Sequence, residues 1–392
     1  MMGMDKRKRI IFFTVIVPII ALFCHFPVVK AEELPASTVH LRILETTDLH
    51  GNMLDYDYRK KRETIEFGLA RTATLIKKAR NEVQNSLLFD NGDLLVGNAL
   101  GEYAVKKYKE NPKYFFHPVY KIMNSLHYDA ATLGNHEFNY GLDFLLDSIK
   151  GAKFPYVNAN VYVDDHNDVE VDDINFFNPY VILNKQVVDT NGQTHNIKVG
   201  VIGLLTPIFY AWDIEHVRGM AKVKSLVQTA EHFVPIMKQK GADVIVVLAH
   251  SGIGADKRLK DQEGNNLFNL SKVKGIDAIL FGHSHSVFPG RDDLKNRPGI
   301  NNEKGTINGV AAVQAGFWGN HLGIIDLNLQ HINGEWKVMD SQSEVQSIFR
   351  IINGKKKPNV NPDPEIHALM EESHLNTLMY LEESNLGFPL SP

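Results

Sequence analysis

Val39-His40-Leu41-Arg42-Ile43-Leu44-Glu45-Thr46 runs directly into Thr47-Asp48-Leu49-His50-Gly51-Asn52. An aliphatic and β-branched stretch followed by a polar, glycine-containing tail reads as a strand whose carboxyl end opens into a loop. The same grammar recurs four more times. Ser86 to Phe89 leads into Asp90-Asn91-Gly92-Asp93, and Ala130 to Leu133 into Gly134-Asn135-His136-Glu137. Val244 to Leu248 leads into Ala249-His250-Ser251-Gly252, and Ala278 to Phe281 into Gly282-His283-Ser284-His285. Between these runs, Ala70 to Val83, Pro118 to Leu126, Gly141 to Ile149 and Ser225 to Lys240 carry apolar residues at helical spacing. Strands alternating with helices imply an α/β layer fold, and in such folds the loops at the carboxyl ends of strands converge on a ligand crevice. Five polar loops at five strand ends therefore predict one site.

Outside these blocks the pattern is weaker. Tyr162 to Gln193, rich in Asp, Asn and Val, reads as hairpin or loop excursions, while Phe317-Trp318-Gly319 and Gly323 to Leu327 suggest further strands. From Ile352 the segment Asn353-Gly354-Lys355-Lys356-Lys357-Pro358, with Pro362 and Pro364 after it, reads as a linker. An amphipathic pattern of Ile366, Leu369, Met370, Leu378 and Leu381 then begins, with no evident partner for such a helix to pack on. No internal repeat is visible.

The 392 residues are 44% hydrophobic and 22% charged, enough for a large core and unlike a disordered chain. Residues 1–31 read as a signal peptide: Lys6, Arg7, Lys8 and Arg9, then the apolar run Ile10 to Phe23, then a small-x-Ala site at Val29-Lys30-Ala31. The alternative is an uncleaved anchor, which would be the only membrane attachment. The expected location is secreted, periplasmic or at the cell surface. Cys24 is the one cysteine and lies within this segment, so the mature chain would hold no disulfide. Removing five basic and one acidic residue from 42 Lys+Arg and 46 Asp+Glu leaves 37 against 45, a net of −8. That balance argues against a protein that tracks nucleic-acid phosphates. A small anionic substrate would need local cations.

The strand-end loops offer Asp48, His50, Asp93, Asn135, His136, His250, His283 and His285. Carboxylate, amide oxygen and imidazole without thiolate suit Mn²⁺, Zn²⁺, Fe or Co²⁺. A shared carboxylate is an economical way to hold two such ions about 3.5–4 Å apart for phosphoester chemistry, and Asp93, in the middle of the series, is the candidate bridge. Each motif alone has an ordinary reading as a turn or a solvated histidine; their joint order, each after a β-like run, sets them apart. Gly319-Asn320-His321 repeats one triplet but follows Trp318 and lacks the glutamate, so it reads as structural. His117 and His127 read as packing or surface histidines.

Asp48-x-His50, Gly92-Asp93, Gly134-Asn135-His136-Glu137, Ala249-His250-Ser251 and Gly282-His283-Ser284-His285 resemble the five blocks of the calcineurin-like metallophosphoesterases. The resemblance covers about residues 39 to 345 and implies a four-layer α-β-β-α sandwich. Glu45 to His50, Gly134 to Gly141 and Phe154 to Val161 look like the branch of bacterial 2′,3′-cyclic-nucleotide 2′-phosphodiesterases/3′-nucleotidases, relatives of the 5′-nucleotidases. By that resemblance Asp48, His50, Asp93 and His285 would hold one divalent ion, and Asp93, Asn135, His250 and His283 the other. His136 would stand beside the phosphate of a small nucleotide, to stabilise charge or protonate the leaving group. In 5′-nucleotidases an Asp stands three residues after that histidine, where this chain has Asn139, which can orient the ring but not stabilise its cation as a carboxylate does. Family members continue through a linker helix into a second, nucleoside-gripping domain. Residues 352–392 are thus expected to be a linker and the start of that helix, cut short as a fragment, a frameshift or a natural truncation. The remaining alternatives are a 5′-nucleotidase and a catalytically weak secreted metal-binding remnant.

Overall fold

Strand Thr38–Thr46 lies at the centre of a five-stranded sheet, with Val39, Leu41 and Ile43 buried on one face and Leu44 buried on the other, beyond exposed His40 and half-buried Arg42. The computed structural model describes residues 37–167, 169, 172–207, 217–254 and 265–384. The expected signal segment 1–31 and the end of the chain from 385 lie outside the described residues. No helix among those described is long and apolar enough to cross a membrane.

The first sheet runs in the order Glu335–Ser347, His321–Ile332, Thr38–Thr46, Ser86–Asp90, Ala130–Ala131. Its last three strands are parallel, and the first two form an antiparallel hairpin against them. The second sheet centres on four parallel strands, Val310–Ala315, Ala278–Phe281, Val244–His250 and Thr194–Leu205, with Tyr180–Val188 antiparallel at its edge. Three apolar cores separate the layers. Leu41, Ile43, Leu87 and Phe89 of the first sheet meet Val199, Val201, Val246 and Leu280 of the second between the sheets. Leu44, Leu88 and Ala131 face helices Leu69–Asn81, Ala99–Glu110, Val119–Ser125 and Gly141–Ile149. Ile202, Val247 and Ile279 face helix Leu226–Gln239. The fold is therefore the expected α-β-β-α sandwich, with helices outside both sheets.

Some expectations need correction. Tyr162 to Gln193 is not all excursion: Tyr180–Val188 is a nine-residue strand, concealed in the sequence because its exposed edge carries Asn184, Lys185 and Gln186 among the apolar residues. Phe317, Trp318 and Gly319 form a turn rather than a strand, and the strands lie on either side at Val310–Ala315 and His321–Ile332. The lysine-rich linker is a β-hairpin, Phe349–Ile352 paired with Lys355–Pro358, turned through Asn353 and Gly354 at φ 51° and 71°. Asn-Gly with both φ positive is the turn that matches strand twist.

The helix Pro364–Ser384 does find a surface. It buries Ile366, Met370, Ser373, Thr377 and Leu381, at spacings of three and four, against helices 69–81, 99–110 and 119–125. Asp55, buried, joins Arg71 at 2.8 Å and His367 at 2.6 Å, and Tyr58 Oη meets His374 Nδ1 at 2.9 Å. Among the described residues this helix accordingly belongs to the same compact unit as the two sheets.

Candidate metal centre

The parallel strands of both sheets deliver their carboxyl ends to one edge of the sandwich. From the first sheet come Asp48 and His50, just past Thr46, Asp93, just past Asp90, and Asn135 and His136, just past Ala131. From the second come His250, the last residue of its strand, and His283 and His285, just past Phe281. Backbone hydrogen bonds interlock the loops: Asp48 N donates to Gly92 O and His50 N to Asp93 O. Close approach restricts residue type at two points. A Cβ on Gly92, at φ 89°, would lie 2.3 Å from Gly134 N, and one on Gly134 would lie 2.2 Å from Asp93 Oδ1. Both contacts are too short for any side chain, so these loops meet only as glycines.

Six of the seven expected ligands come together in two sets, and the seventh, Asn135, adjoins the second. Ligand atoms of Asp48, His50, Asp93 and His285 lie within 4.8 Å of one another, as do those of Asp93, His250 and His283, so Asp93 is common to both. His50 Nε2 is 3.1 Å from His285 Nε2, and Asp48 Oδ1 is 3.3 Å from His285 Nε2. In the second set His250 Nε2 is 3.1 Å from Asp93 Oδ2, and Asn135 Oδ1 is 2.9 Å from His283 Nδ1.

Backbone carbonyls set the imidazole tautomers. His250 Nδ1 donates to Asn91 O at 2.8 Å and His50 Nδ1 to Val96 O at 3.1 Å, which turns both Nε2 atoms toward the cluster. These two carbonyls were not foreseen, since a side chain's motif carries no record of which main-chain oxygen will face it. His250 Nε2 is fully buried, with the Asp93 carboxylate as its neighbour at 3.1 Å. Burial alone would lower His250, yet the Asp93 and Asp48 carboxylates push it up to about 10. Burial would likewise raise Asp93, but His250, His136 and His50 hold it well below the usual carboxylate range. A buried imidazole nitrogen directed at an ionised, buried carboxylate is an environment that suits a cation, and this oxygen-and-nitrogen donor set fits divalent metal.

His136 stands apart from both sets, with its ring 5.1 Å from that of His50. Its Nδ1 donates to Asn139 Oδ1 at 2.7 Å, so Asn139 fixes the ring and leaves Nε2 for another partner. The repeated triplet at Gly319-Asn320-His321 contributes no ligand: Asn320 Oδ1 accepts from Phe317 N at 3.1 Å and holds the Phe317 ring stacked 5.0 Å over His285. His117 is buried among Phe115, Tyr120 and Phe144, and His127 is exposed.

The sequence pattern of the calcineurin-like phosphoesterases matches residues 41–287, a span that contains every one of these ligands. The chain belongs to the calcineurin-like phosphoesterase family. It is 46% identical over 347 residues to the 2′,3′-cyclic-nucleotide 2′-phosphodiesterase/3′-nucleotidase of Salmonella typhimurium, covering 88% of this chain and 51% of that one. It is 45% identical over 368 residues to the trifunctional nucleotide phosphoesterase protein YfkN of Bacillus subtilis, covering 93% of this chain and 24% of that protein. The chain thus spans about half of the first relative and about a quarter of the second. The crystal structure of the calcineurin-like phosphoesterase YfkN from Bacillus subtilis superimposes with a TM-score of 0.81 at 46% identity, over 88% of this chain and 99% of that one. Calcineurin-like phosphoesterases use divalent metals, in agreement with the donor set described above.

Proposed function

We propose that this chain is a dinuclear phosphoester hydrolase acting on small nucleotides, as a 2′,3′-cyclic-nucleotide 2′-phosphodiesterase/3′-nucleotidase. The observation that carries the reading is the pair of ligand sets sharing Asp93, with His136 beside them and outside both. Asp48, His50, Asp93 and His285 would hold one ion, and Asp93, Asn135, His250 and His283 the other, as Mn²⁺, Zn²⁺, Co²⁺ or Fe. When bound, two such ions supply positive charge to the phosphoryl oxygens and activate a water nucleophile.

The chain's own contribution is position and protons. Asp93 keeps the two ligand sets in one frame, and Asn91 and Val96 hold the rings that complete them. His136, fixed through Nδ1 by Asn139, presents Nε2 to the phosphate. There it neutralises developing charge or gives a proton to the departing 2′ oxygen as the P–O2′ bond breaks. The product carries a 3′-phosphate, which a second hydrolysis at the same groups would release. His285, partly exposed, marks the side from which substrate arrives.

Residues 39–345 form the catalytic domain in this proposal, with 352–392 the connection beyond it. Export by the segment 1–31 would place the enzyme in the periplasm, at the cell surface or outside the cell. The test is metal-dependent hydrolysis of 2′,3′-cyclic AMP and of bis(p-nitrophenyl) phosphate by the chain loaded with Mn²⁺ or Zn²⁺. Turnover of both is expected. A loaded chain that hydrolyses neither is a metal-binding remnant, and the proposal is wrong.

A further inference from the structure

Glu137 belongs to the Gly-Asn-His-Glu block but to neither candidate ligand set. It is 2% exposed, and its carboxylate lies beneath the loop that carries Asp93. Four backbone N–H groups converge on it. Oε2 accepts from Asp93 N at 2.8 Å and Gly134 N at 2.6 Å, and Oε1 accepts from Leu94 N at 2.6 Å and Leu95 N at 3.1 Å. Both oxygens are thus filled by backbone donors, two to each.

We propose that Glu137 is a positioning residue for the metal centre, a buried carboxyl group whose four hydrogen bonds set the distance between the Asp93 loop and the Asn135-His136 loop. The proposal rests on the reading of the Asp93 cluster as a dinuclear site. Asp93 sits at φ 54°, a left-handed conformation that L-residues adopt at a cost, and its own N–H is one of the four donors. Gly134, the second loop's donor, precedes Asn135 and His136 directly. Asp93 Oδ1 in turn accepts from His136 N at 2.8 Å. One buried carboxylate therefore sits behind the shared ligand, a ligand of the second ion and the group assigned to the phosphate. Neutral glutamine would turn an NH₂ toward two of these N–H groups, leaving donors facing donors. Aspartate would keep both accepting oxygens but is one methylene short.

The test is Mn²⁺ binding to the full chain, followed by calorimetry and by the Mn²⁺ spin-resonance signal. Wild type, Glu137→Gln, Glu137→Asp and the core variant Ile197→Ala are compared at a temperature where each is folded. Ile197 lies in the core between the sheets, in the opposite half of its strand from the site, and serves as the control for general loss of stability. Outer-layer partners of metal ligands typically contribute 10–100-fold to affinity, and a loss of that size is expected in Glu137→Gln, partly restored in Glu137→Asp, with Ile197→Ala unchanged. Wild-type affinity in folded Glu137→Gln overturns this proposal alone, whereas a wild-type chain that binds no Mn²⁺ overturns the metal reading with it. Should Glu137→Gln not fold, hydrogen exchange on the wild-type apoprotein decides. The amides of Asp93, Leu94, Leu95 and Gly134 should be protected like strand amides, and rapid exchange at them refutes the brace.

Discussion

Five of the seven ligand candidates, Asp48, His50, Asp93, His283 and His285, have φ between 47° and 69°. For non-glycine residues this region costs about 1–2 kcal/mol each, so the loops are held in conformations that only their contacts maintain. Strain of this kind collects where side chains must be aimed rather than packed. Asp93 has the most to aim, because it belongs to both ligand sets. Asp93→Ala should abolish turnover and lower the content of both metals, which metal analysis of the purified variant reads directly; two ions retained at full occupancy would sink the bridging role. His136→Ala separates chemistry from binding. It should keep both metals and lose about 10²–10⁴-fold in kcat, the usual contribution of a proton-transferring or charge-stabilising group. A variant that loses metal instead would make His136 a ligand. The candidate ligands were legible in the sequence because each is a polar residue that follows a β-run. Their tautomers were not, because the partners of His50 and His250 are the main-chain oxygens of Val96 and Asn91.

Among the elements, legibility followed the strength of the apolar period. Helix Gly141–Ile149 falls where its pattern predicts it, and Ser225 caps helix Leu226–Gln239 by accepting from Gln228 N. Helix Ala99–Glu110 is silent in the sequence, since Lys106, Lys107 and Lys109 dilute its stripe and Asn98 caps it beside the metal loops. The lysines of the 349–358 hairpin concealed its β-pairing in the same way. Helix Pro364–Ser384 is held by polar anchors, Asp55, Arg71 and Tyr58, whose match to His367 and His374 exists only in three dimensions. Just ahead of helix Val119–Ser125, His117 is fully buried, and burial lowers it to about 3. The unfolded chain, with histidine near 6.5, then binds more protons than the folded one between those values. Stability from this group is therefore complete above about pH 6.5 and declines as pH falls toward 3, by about 2–3 kcal/mol at pH 4.5. In urea unfolding, His117→Leu should lose less stability than wild type between pH 7 and pH 4.5. An equal loss in both proteins would mean that the acid sensitivity arises elsewhere.

At the scale of the molecule the centre is a junction between layers. Asp48, His50, Asp93 and Asn135 come from the first sheet, and His250, His283 and His285 from the second, so any ion held by either set joins both halves of the sandwich. The apolar core between the sheets ends here among buried polar groups. Glu45 is raised well above the usual carboxylate range by burial and by Asp48 and Asp90, and Asp90 is raised to about 8, chiefly by burial. This edge gathers buried carboxyl groups whose ionised forms nearby cations would favour. Binding that favours the folded state stabilises it by RT ln(1 + [L]/Kd), about 2.7 kcal/mol for each ion at a hundredfold excess over Kd. At about 2 °C per kcal/mol for a chain of this size, that is roughly 5 °C per ion. The Tm of the chain in excess Mn²⁺ should therefore exceed that in EDTA by roughly 5–10 °C. Non-specific binding of Mn²⁺ to the acidic surface could imitate part of this shift, and Asp93→Ala discriminates between them. It leaves the surface unchanged but withdraws the ligand common to both sets, so its Tm should respond to Mn²⁺ by less than half the wild-type shift. Identical melting of wild type in EDTA and in Mn²⁺, or an undiminished shift in Asp93→Ala, would show that these residues do not join the two sheets through metal.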